Sequence, residues 1–451
     1  MVVDTRGLSA ALATRRRRTS ALWRVVRQAC GRITWGIADQ GVSSFTNFAV
    51  SIYIARTLGA EQFGAFSLAY ITYSFVLNAS RGLATDPLLV RFSGTDVPTW
   101  RRAVSSCTGT ALVVGVLGGL CVLAVGVVLQ GTTQLSFLAL GLTLPGLMLQ
   151  DSWRFSFFAI GRGGQALLND AIWAVMLLPA LILLRMTGDT DVFWYVLAWG
   201  VAAAVAAAVG PLQSRVRPRP LRTWEWLTSH RDLGPRFFAE GTANSASIQL
   251  RGYGVGIILG LAAVGYVQAA NTLMGPFMVV FFGMGLVVQP EAVRVLRRSP
   301  RHLPVLCVLV SAGLAFLGLV WGIVLLVALP RGLGELLLHS VWRPTYPLIL
   351  PATLSVMGGC IVAGAFAGLH ALGAARRSLR AMVLSSVLMV VFALVGAGVG
   401  GAVGTLRGSA VASWIGALAF WWHFRAACRE SEDMPTPKGL WPLRLESSTV
   451  S

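Results

Sequence analysis

Charged side chains are scarce in this sequence of 451 residues and make up only 12% of it. A typical soluble domain carries about 25% charged residues. Hydrophobic residues instead make up 55%, and the mean hydropathy is +0.69. Apolar runs of roughly 20 residues, enough to cross a hydrocarbon layer about 30 Å thick, recur along nearly the whole chain. The scarcity of charge therefore excludes an ordinary soluble enzyme and predicts an all-α polytopic membrane protein.

Acidic residues and lysine are also scarce. Asp and Glu total 18 against 37 Lys and Arg, which gives a net charge of +19, and Lys438 is the single lysine. In a soluble protein this charge would indicate nucleic-acid binding. Here the arginines lie mostly in loops on one side of the apolar runs, so we expect no nucleic-acid partner. An arginine-rich composition almost without lysine favours a high-GC bacterium and its cytoplasmic membrane.

Cysteine and histidine are few and scattered. The five histidines form no cluster, and the six cysteines show neither metal-ligand spacing nor the framework of a secreted disulfide-rich domain. The sequence also has no glycine-rich phosphate loop. We therefore expect free thiols, no metal site and no cofactor. The cysteines are Cys30, Cys107, Cys121, Cys307, Cys360 and Cys428.

Apolar runs between charged or Gly/Pro-rich segments predict twelve transmembrane helices. The first six lie near residues 33–56, 64–91, 103–129, 135–160, 166–186 and 192–210. The second six lie near residues 236–260, 265–290, 304–329, 347–372, 380–400 and 404–427. Arginine is concentrated in alternate loops, and the positive-inside rule then places both termini in the cytoplasm. The predicted units are a basic N-terminal segment, a first half, a cytoplasmic linker, a second half and a tail, at 1–32, 33–210, 211–235, 236–427 and 428–451.

The two predicted halves resemble each other in sequence. At an offset of 201 residues, Gly59 aligns with Gly260 and Gly64 with Gly265. In each pair of glycines the first is suited to a positive φ that ends one helix, and the second lets the next helix begin close against it. Halves with an even number of helices enter the membrane from the same side, as in transporters built from parallel repeats. We therefore expect two six-helix halves around a central cleft.

A second repeated segment contains hinge candidates. At an offset of 203 residues, the segment 82–91 aligns with 285–294 and Pro87 with Pro290. Each proline removes a helical hydrogen bond near the predicted cytoplasmic end of its helix, where a kink could act as a hinge. A static bend without a gating role explains the same residues equally well.

The residues Ile33–Gly41 and Ile54–Ala69 resemble the Wzx-type polysaccharide flippases of the multidrug/oligosaccharidyl-lipid/polysaccharide (MOP, MATE-like) exporter superfamily. Twelve spans in two halves agree with this resemblance over most of the chain. It implies a transporter, not an enzyme, that flips an undecaprenyl-pyrophosphate-linked oligosaccharide from the inner to the outer leaflet for surface polysaccharide biosynthesis. Its partners would be that lipid-linked glycan and membrane lipids, with coupling to protons or sodium, and we expect a monomer.

Three other functions compete with this interpretation. Cation-coupled multidrug antiporters share the superfamily and the architecture, although an acidic cleft with few arginines would suit them better. Lipid II flippases of the superfamily typically have two further helices, which are missing here. A membrane glycosyltransferase would need outer-face carboxylates, but Asp189 and Asp191 are the only close outer pair and lie in a short loop.

Arginines inside predicted spans are the substrate-binding candidates, since an ionisable side chain in a membrane helix is costly and marks a functional site by default. Arg251 lies too deep in the seventh helix for easy snorkelling, whereas Arg81 and Arg154 lie nearer the cytoplasmic side. A pyrophosphate crossing the membrane needs such fixed positive charge. Each arginine could instead hold helices together by pairing with a carboxylate.

Acids in the predicted spans are the ion-coupling candidates. Asp39 and Glu240 occupy matching positions in the two halves, and Asp86 precedes Pro87. A carboxylate at such a position could carry a proton or sodium, pair with an arginine, or stabilise a helix N-terminus. For Asp86 the expected partner is Arg81.

Local spacing predicts two further roles. Asp151 and Arg154 stand at helical i,i+3 spacing, so an ion pair within one helix is the most economical reading. Asn169 and Asp170 lie near the predicted start of the fifth helix, where both residue types commonly cap the backbone.

Overall fold

The computed structural model describes the backbone of residues 5–433 and the side chains of residues 41, 44–239, 245–285 and 288–430. The described chain is helical almost throughout and contains no strand. The predicted all-α class is thereby confirmed. Among the five described cysteines there is no disulfide, and no cluster of described residues could hold a metal ion.

The helices of the first predicted half run from α1 to α6. A π-helical turn, Arg81–Thr85, separates α1 from α2. The bounds are α1 Thr5–Ser80, α2 Asp86–Phe92, α3 Val97–Val128, α4 Gly131–Ala159, α5 Gly163–Met186 and α6 Val192–Ser214. In the linker, a short 3₁₀ turn, Pro220–Arg222, leads into the surface helix α7, Thr223–Ser229.

The remaining helices run from α8 to α14. Their bounds are α8 Gly234–Leu259, α9 Leu261–Leu273, α10 Gly275–Arg298, α11 Leu303–Ala328, α12 Gly334–Leu338, α13 Trp342–Ala371 and α14 Ala375–Asp433. The predicted span 265–290 is divided between α9 and α10 because Pro276 has no N–H with which to continue the helix. The long α14 turns at Gly401, which adopts a φ of 62°, so it covers both of the last two predicted spans.

Seven helical stretches in the described residues are long and apolar enough to cross a membrane. One of them, 300–371, contains both α11 and α13, and the stretch 375–430 is folded back at Gly401. Many large apolar side chains on these helices are exposed, for example Val128 at 82% and Val399 at 87%. A surface of that kind is stable when it faces lipid. The predicted polytopic membrane architecture is confirmed.

Glycine contacts join the two predicted halves at the ends that the sequence predicts to be outer. Gly59 and Gly260 have φ values of 78° and 83°, so each connection predicted as a short loop is a single non-helical residue. A Cβ added at Gly64 would lie 1.9 Å from the carbonyl oxygen of Leu261, and one added at Gly265 would lie 2.2 Å from that of Ala60. These two contacts are equivalent under the 201-residue offset. The second glycine of each motif thus packs against the other half, not against its own preceding helix as expected.

The prolines proposed as hinges lie in different surroundings. Pro87 is buried in the first turn of α2, directly after the π-helical turn at Arg81. Pro290 lies inside α10, where the helix continues to Arg298. The hinge role of both residues stays a prediction.

Candidate functional site

A polar cavity of about 210 Å³ lies among the helices of the first half. The cavity draws on α1 both before Gly59 and after it, the latter being the second part of α1, and on the π-helical turn that carries Arg81. The helices α4 and α5 supply its other charged side chains, and α5 and α6 each supply an indole. The cavity is lined by Asn47, Tyr70, Tyr73, Ser74, Leu77, Arg81, Gln150, Asp151, Arg154, Asp170, Trp173 and Trp199. Ionisable groups among the membrane helices mark this cavity as the candidate functional site.

Arg81 and Asp151 form the first ion pair of this cavity. The Arg81 guanidinium donates from Nε to Asp151 Oδ2 over 3.0 Å and from Nη2 to Oδ1 over 2.6 Å, which is the bidentate geometry of a strong pair. The same guanidinium lies 4.8 Å from the ring centre of Phe155. The Asp151 side chain is 7% exposed. One sequence expectation is therefore wrong, because Asp151 pairs with Arg81 instead of Arg154. The expected partner Asp86 acts on Arg81 through electrostatic attraction, while the hydrogen bonds of Arg81 go to Asp151.

Arg154 belongs to a second network that connects α4 with α5. Its Nε lies 3.5 Å from Asp170 Oδ2, and the Asp170 side chain is 4% exposed. Gln150 donates to Asp170 Oδ1 over 2.8 Å, while Asn169 donates to the carbonyl oxygen of Ala206 over 2.9 Å. Because α5 already begins at Gly163, Asn169 and Asp170 lie in its second turn, and the expectation that they cap the helix is wrong.

Aromatic side chains form the rest of the wall. The rings of Tyr73 and Trp199 meet edge to face with their centres 4.8 Å apart, and Tyr70 lies 6.0 Å from the same indole. Trp173 donates from Nε1 to the carbonyl oxygen of Trp199 over 3.1 Å, which fixes the orientation of its ring. Such rigid amphipathic rings suit the apolar face of a sugar or a planar cation.

The cavity is charged but balanced. Its described arginines, Arg81 and Arg154, are matched by Asp151 and Asp170. Its volume also falls below the roughly 300–1,000 Å³ typical of ligand pockets. The cavity in this form holds a small group, and a larger ligand would require the surrounding helices to move.

Arg251, the third arginine proposed to bind the substrate, does not line this cavity. Ser245, Gln249 and Tyr253 of α8 bond to Asn78, to the carbonyl oxygen of Ile71 and to Thr72, all in the second part of α1. Arg251 lies about 200° around α8 from Gln249, since each residue turns a helix by about 100°.

Arg251 is half-buried and makes no hydrogen bond or ion pair with the described residues. Asp39 and Glu240 lie outside the residues whose side chains are described. Asp86 is the first residue of α2, after the π-helical turn.

No family model and no curated protein matches the sequence. Solved structures do match. An inward-facing multidrug resistance MATE family transporter of the MOP superfamily superposes with a TM-score of 0.69 at 15% identity, covering 87% of this chain and 96% of that one. The lipid II flippase MurJ in an inward closed conformation superposes at 0.63 and 12% identity, covering 89% and 91%. The chain has the fold of the MOP superfamily.

A third protein with the MOP fold widens the range of functions that the fold can carry. It is a MOP superfamily transporter from Pyrococcus furiosus, for which a reversed polarity of the binding pocket suggests a different function. It superposes with a TM-score of 0.56 at 13% identity over 91% of this chain and 96% of its own. Since the fold is shared by proteins with different cargo, the residues in the cavity must distinguish between them.

Sequence reasoning missed several residues that line the cavity in this MOP fold. Gln150, Tyr70, Tyr73, Trp173 and Trp199 were not predicted as site residues. A signal was present for two of the walls, because Asp170 and Trp173 stand at i,i+3 spacing on one face of α5, as do Tyr70 and Tyr73 on α1. Two of the three arginines proposed to bind the substrate, Arg81 and Arg154, do line the cavity.

Proposed function

We propose that this protein is a transporter of the bacterial cytoplasmic membrane that flips a polyprenyl-pyrophosphate-linked oligosaccharide from the inner to the outer leaflet. The observation that carries the proposal is the combination of two arginines with four aromatic side chains in one cavity of a MOP fold. Guanidinium groups bind phosphate through paired hydrogen bonds, and aromatic rings stack on sugars. Both chemistries are required for this cargo.

The Arg81–Asp151 ion pair must open before the cargo can use this arginine. A pyrophosphate can bind Arg81 fully only when Asp151 gives up the guanidinium. Asp39, Glu240 and Asp86 are the candidates for carrying a proton or sodium ion.

Arg251 is proposed as a separate contact for the anionic cargo, because it is a deep cation without a counter-ion in the described part of the chain. Its position on α8, away from the cavity, would place it on the path of the cargo between the two halves.

Reconstituted liposomes with a fluorescent polyprenyl-pyrophosphate glycan provide the test, with quenching of the outer leaflet as the readout. Arg251→Ala and Arg81→Gln should each lower the flipping rate by at least about tenfold, which corresponds to the loss of roughly 1.4 kcal/mol of interaction with the cargo. Arg251→Lys should retain part of the rate because a point charge still attracts phosphate. Arg407→Gln is the matched control, an exposed arginine on α14 that lies outside the cavity. Full flipping by Arg251→Ala and Arg81→Gln would contradict the proposal.

Cation-coupled export of amphipathic drugs is a second candidate function. The observation that favours it is that Asp151 and Asp170 accompany the arginines, so the cavity is not purely cationic. Drug efflux would depend on these acids, and Asp170→Asn should abolish it while Arg81→Gln should not. A protein that expels cationic dyes from liposomes along a proton gradient, and leaves the lipid-linked glycan in place, would establish this alternative.

A further inference from the structure

The linker between the two halves builds a second polar cavity, apart from the proposed cargo site. Its volume is about 290 Å³, and its walls come from α2, the first turns of α3 and the surface helix α7. Arg102, Thr99 and Ser106 project from α3, and Arg222 and His230 come from the linker. Nothing in the proposed transport cycle uses these residues.

The walls of this linker cavity are held in place by hydrogen bonds. Trp226 is buried and donates from Nε1 to the carbonyl oxygen of Leu83 over 3.1 Å. Arg91 donates to both carboxylate oxygens of Asp232, over 2.8 and 2.7 Å, and to the carbonyl oxygen of Ser229 over 2.8 Å. The linker is therefore anchored to the end of α2, and the cavity is a built feature instead of a gap between loose loops.

The cavity lies at the depth of lipid headgroups. At about 1.5 Å per residue, the 32 residues of α3 extend about 48 Å, whereas the hydrocarbon layer is about 30 Å thick. Val127 and Val128 at the far end are 69% and 82% exposed, so that end reaches into lipid. The excess length lies at the Val97 end, which carries Thr99 and Arg102 into the headgroup layer.

Two exposed apolar side chains on the linker support the same depth. Leu221 is fully exposed and Trp224 is 76% exposed, although both are costly to leave in water. Tryptophan is enriched at the level of the headgroups, where its ring is apolar and its N–H remains hydrated. Their neighbours Arg222 and Glu225 line the cavity, so the apolar contacts and the cavity belong to one surface.

The charges of the cavity favour an anion. Within the described part of the chain, Arg102 makes no hydrogen bond or ion pair. Arg222 is held only by Glu225, at 3.9 Å, and both of these side chains are exposed. An incoming phosphate would compete with Glu225 for Arg222 and would meet the unoccupied guanidinium of Arg102, while Thr99 and Ser106 offer hydroxyl groups to its oxygens.

We propose that this cavity binds the phosphate of an acidic phospholipid headgroup, with Arg102 and Arg222 as its cationic contacts and with Leu221 and Trp224 inserted beside the lipid. The proposal does not depend on the identity of the cargo. Because the bound lipid would touch the linker that carries Trp226, it would fasten the linker to the end of α2, next to the π-helical turn at Arg81.

Native mass spectrometry of the full chain after exchange into micelles with phosphatidylglycerol or phosphatidylcholine tests this site. The wild type should retain phosphatidylglycerol in preference to phosphatidylcholine. Arg102→Gln should weaken that retention about fivefold, because the attraction of one basic residue to anionic lipid is worth roughly 1 kcal/mol. Glu225→Gln should strengthen it, because the competing carboxylate is gone. Arg101→Gln is the control, since Arg101 is the exposed neighbour that does not line the cavity.

Three results would overturn the proposal. Equal weakening by Arg101→Gln would mean diffuse attraction to a basic surface. Displacement of the lipid by millimolar inorganic phosphate would mean a site for a soluble anion. No gain from Glu225→Gln would mean that the cavity is not where the lipid binds. The melting temperature of each variant in phosphatidylcholine alone identifies misfolding, and Glu225→Gln decides the question if Arg102→Gln does not fold.

Discussion

The Arg81–Asp151 pair should contribute far more to stability than an equally well-formed pair at the surface. Asp151→Asn leaves the guanidinium of Arg81 in the cavity without its counter-charge. Breaking a buried pair in this way typically costs about 3–5 kcal/mol. The Arg81 side chain is 28% exposed, so the lower part of that range applies. We therefore expect Asp151→Asn to lower the free energy of unfolding by about 3 kcal/mol. A double-mutant cycle of Asp151→Asn with Arg81→Gln should give a coupling energy of about 2 kcal/mol.

Unfolding in mixed micelles with increasing SDS gives the free energies for this cycle. Arg91 and Asp232 form the control, because Arg91 also contacts both carboxylate oxygens, through Nη2 alone, but both side chains are exposed, by 38% and 54%. A cycle of Arg91→Gln and Asp232→Asn should show a much smaller coupling, since water screens the charges. If the Arg81–Asp151 coupling were no larger than that of this control, the cavity would be open to water and the expectation of a strongly coupled buried pair would be wrong.

Three further outcomes are expected. Gly64→Ala should destabilise the protein by about 1–3 kcal/mol because its Cβ would meet the Leu261 carbonyl oxygen. Gly313→Ala, whose Cβ would have no neighbour within 4 Å, should stabilise α11 by a fraction of a kcal/mol. The melting temperatures of the two variants test both expectations. Burial lowers the pKa of His230, so its contribution to stability is present above about pH 6.5 and is lost as the pH falls through the folded-state pKa. The protection factors of the linker amides, which correct for the slower intrinsic exchange in acid, should fall as the pH is lowered, and less so in His230→Gln. A thiol from Ser229→Cys should react with an impermeant maleimide only after permeabilisation, since the linker is predicted to be cytoplasmic; labelling of intact cells would refute that orientation.

Local patterns predicted much of the fold. The positive φ at Gly59 and Gly260 followed from the sequence because a helix end is decided by a few neighbouring residues. Apolar run length similarly predicted the spans, since the thickness of a bilayer sets it. The division of the predicted span 265–290 at Pro276 was not predicted. The spans were drawn from the length of apolar runs, and an apolar run does not show where a helix is interrupted.

The partners inside the cavity could not be predicted in the same way. Spacing along one helix favoured Asp151 with Arg154, but the structure pairs Asp151 with a residue 70 positions away. Which carboxylate meets which arginine depends on how α4 is rotated against α1 and α5, and apolar periodicity leaves that rotation poorly defined. The sequence supplied the residue types of the site, while tertiary packing selected their partners.

The glycine contacts bear on how such a molecule could open to either side. At the outer ends, Gly64 and Gly265 pack reciprocally on the opposite half. The matching glycines toward the other end differ, because a Cβ at Gly82 would lie 2.5 Å from the backbone nitrogen of Phe238, whereas one at Gly285 would meet no described atom within 4 Å. Two halves with similar sequences thus make one symmetric and one asymmetric contact. In the predicted orientation, opening to the outer side would require the symmetric contact at Gly64 and Gly265 to separate. Close packing of glycine on backbone would make that step a discrete event instead of a gradual deformation.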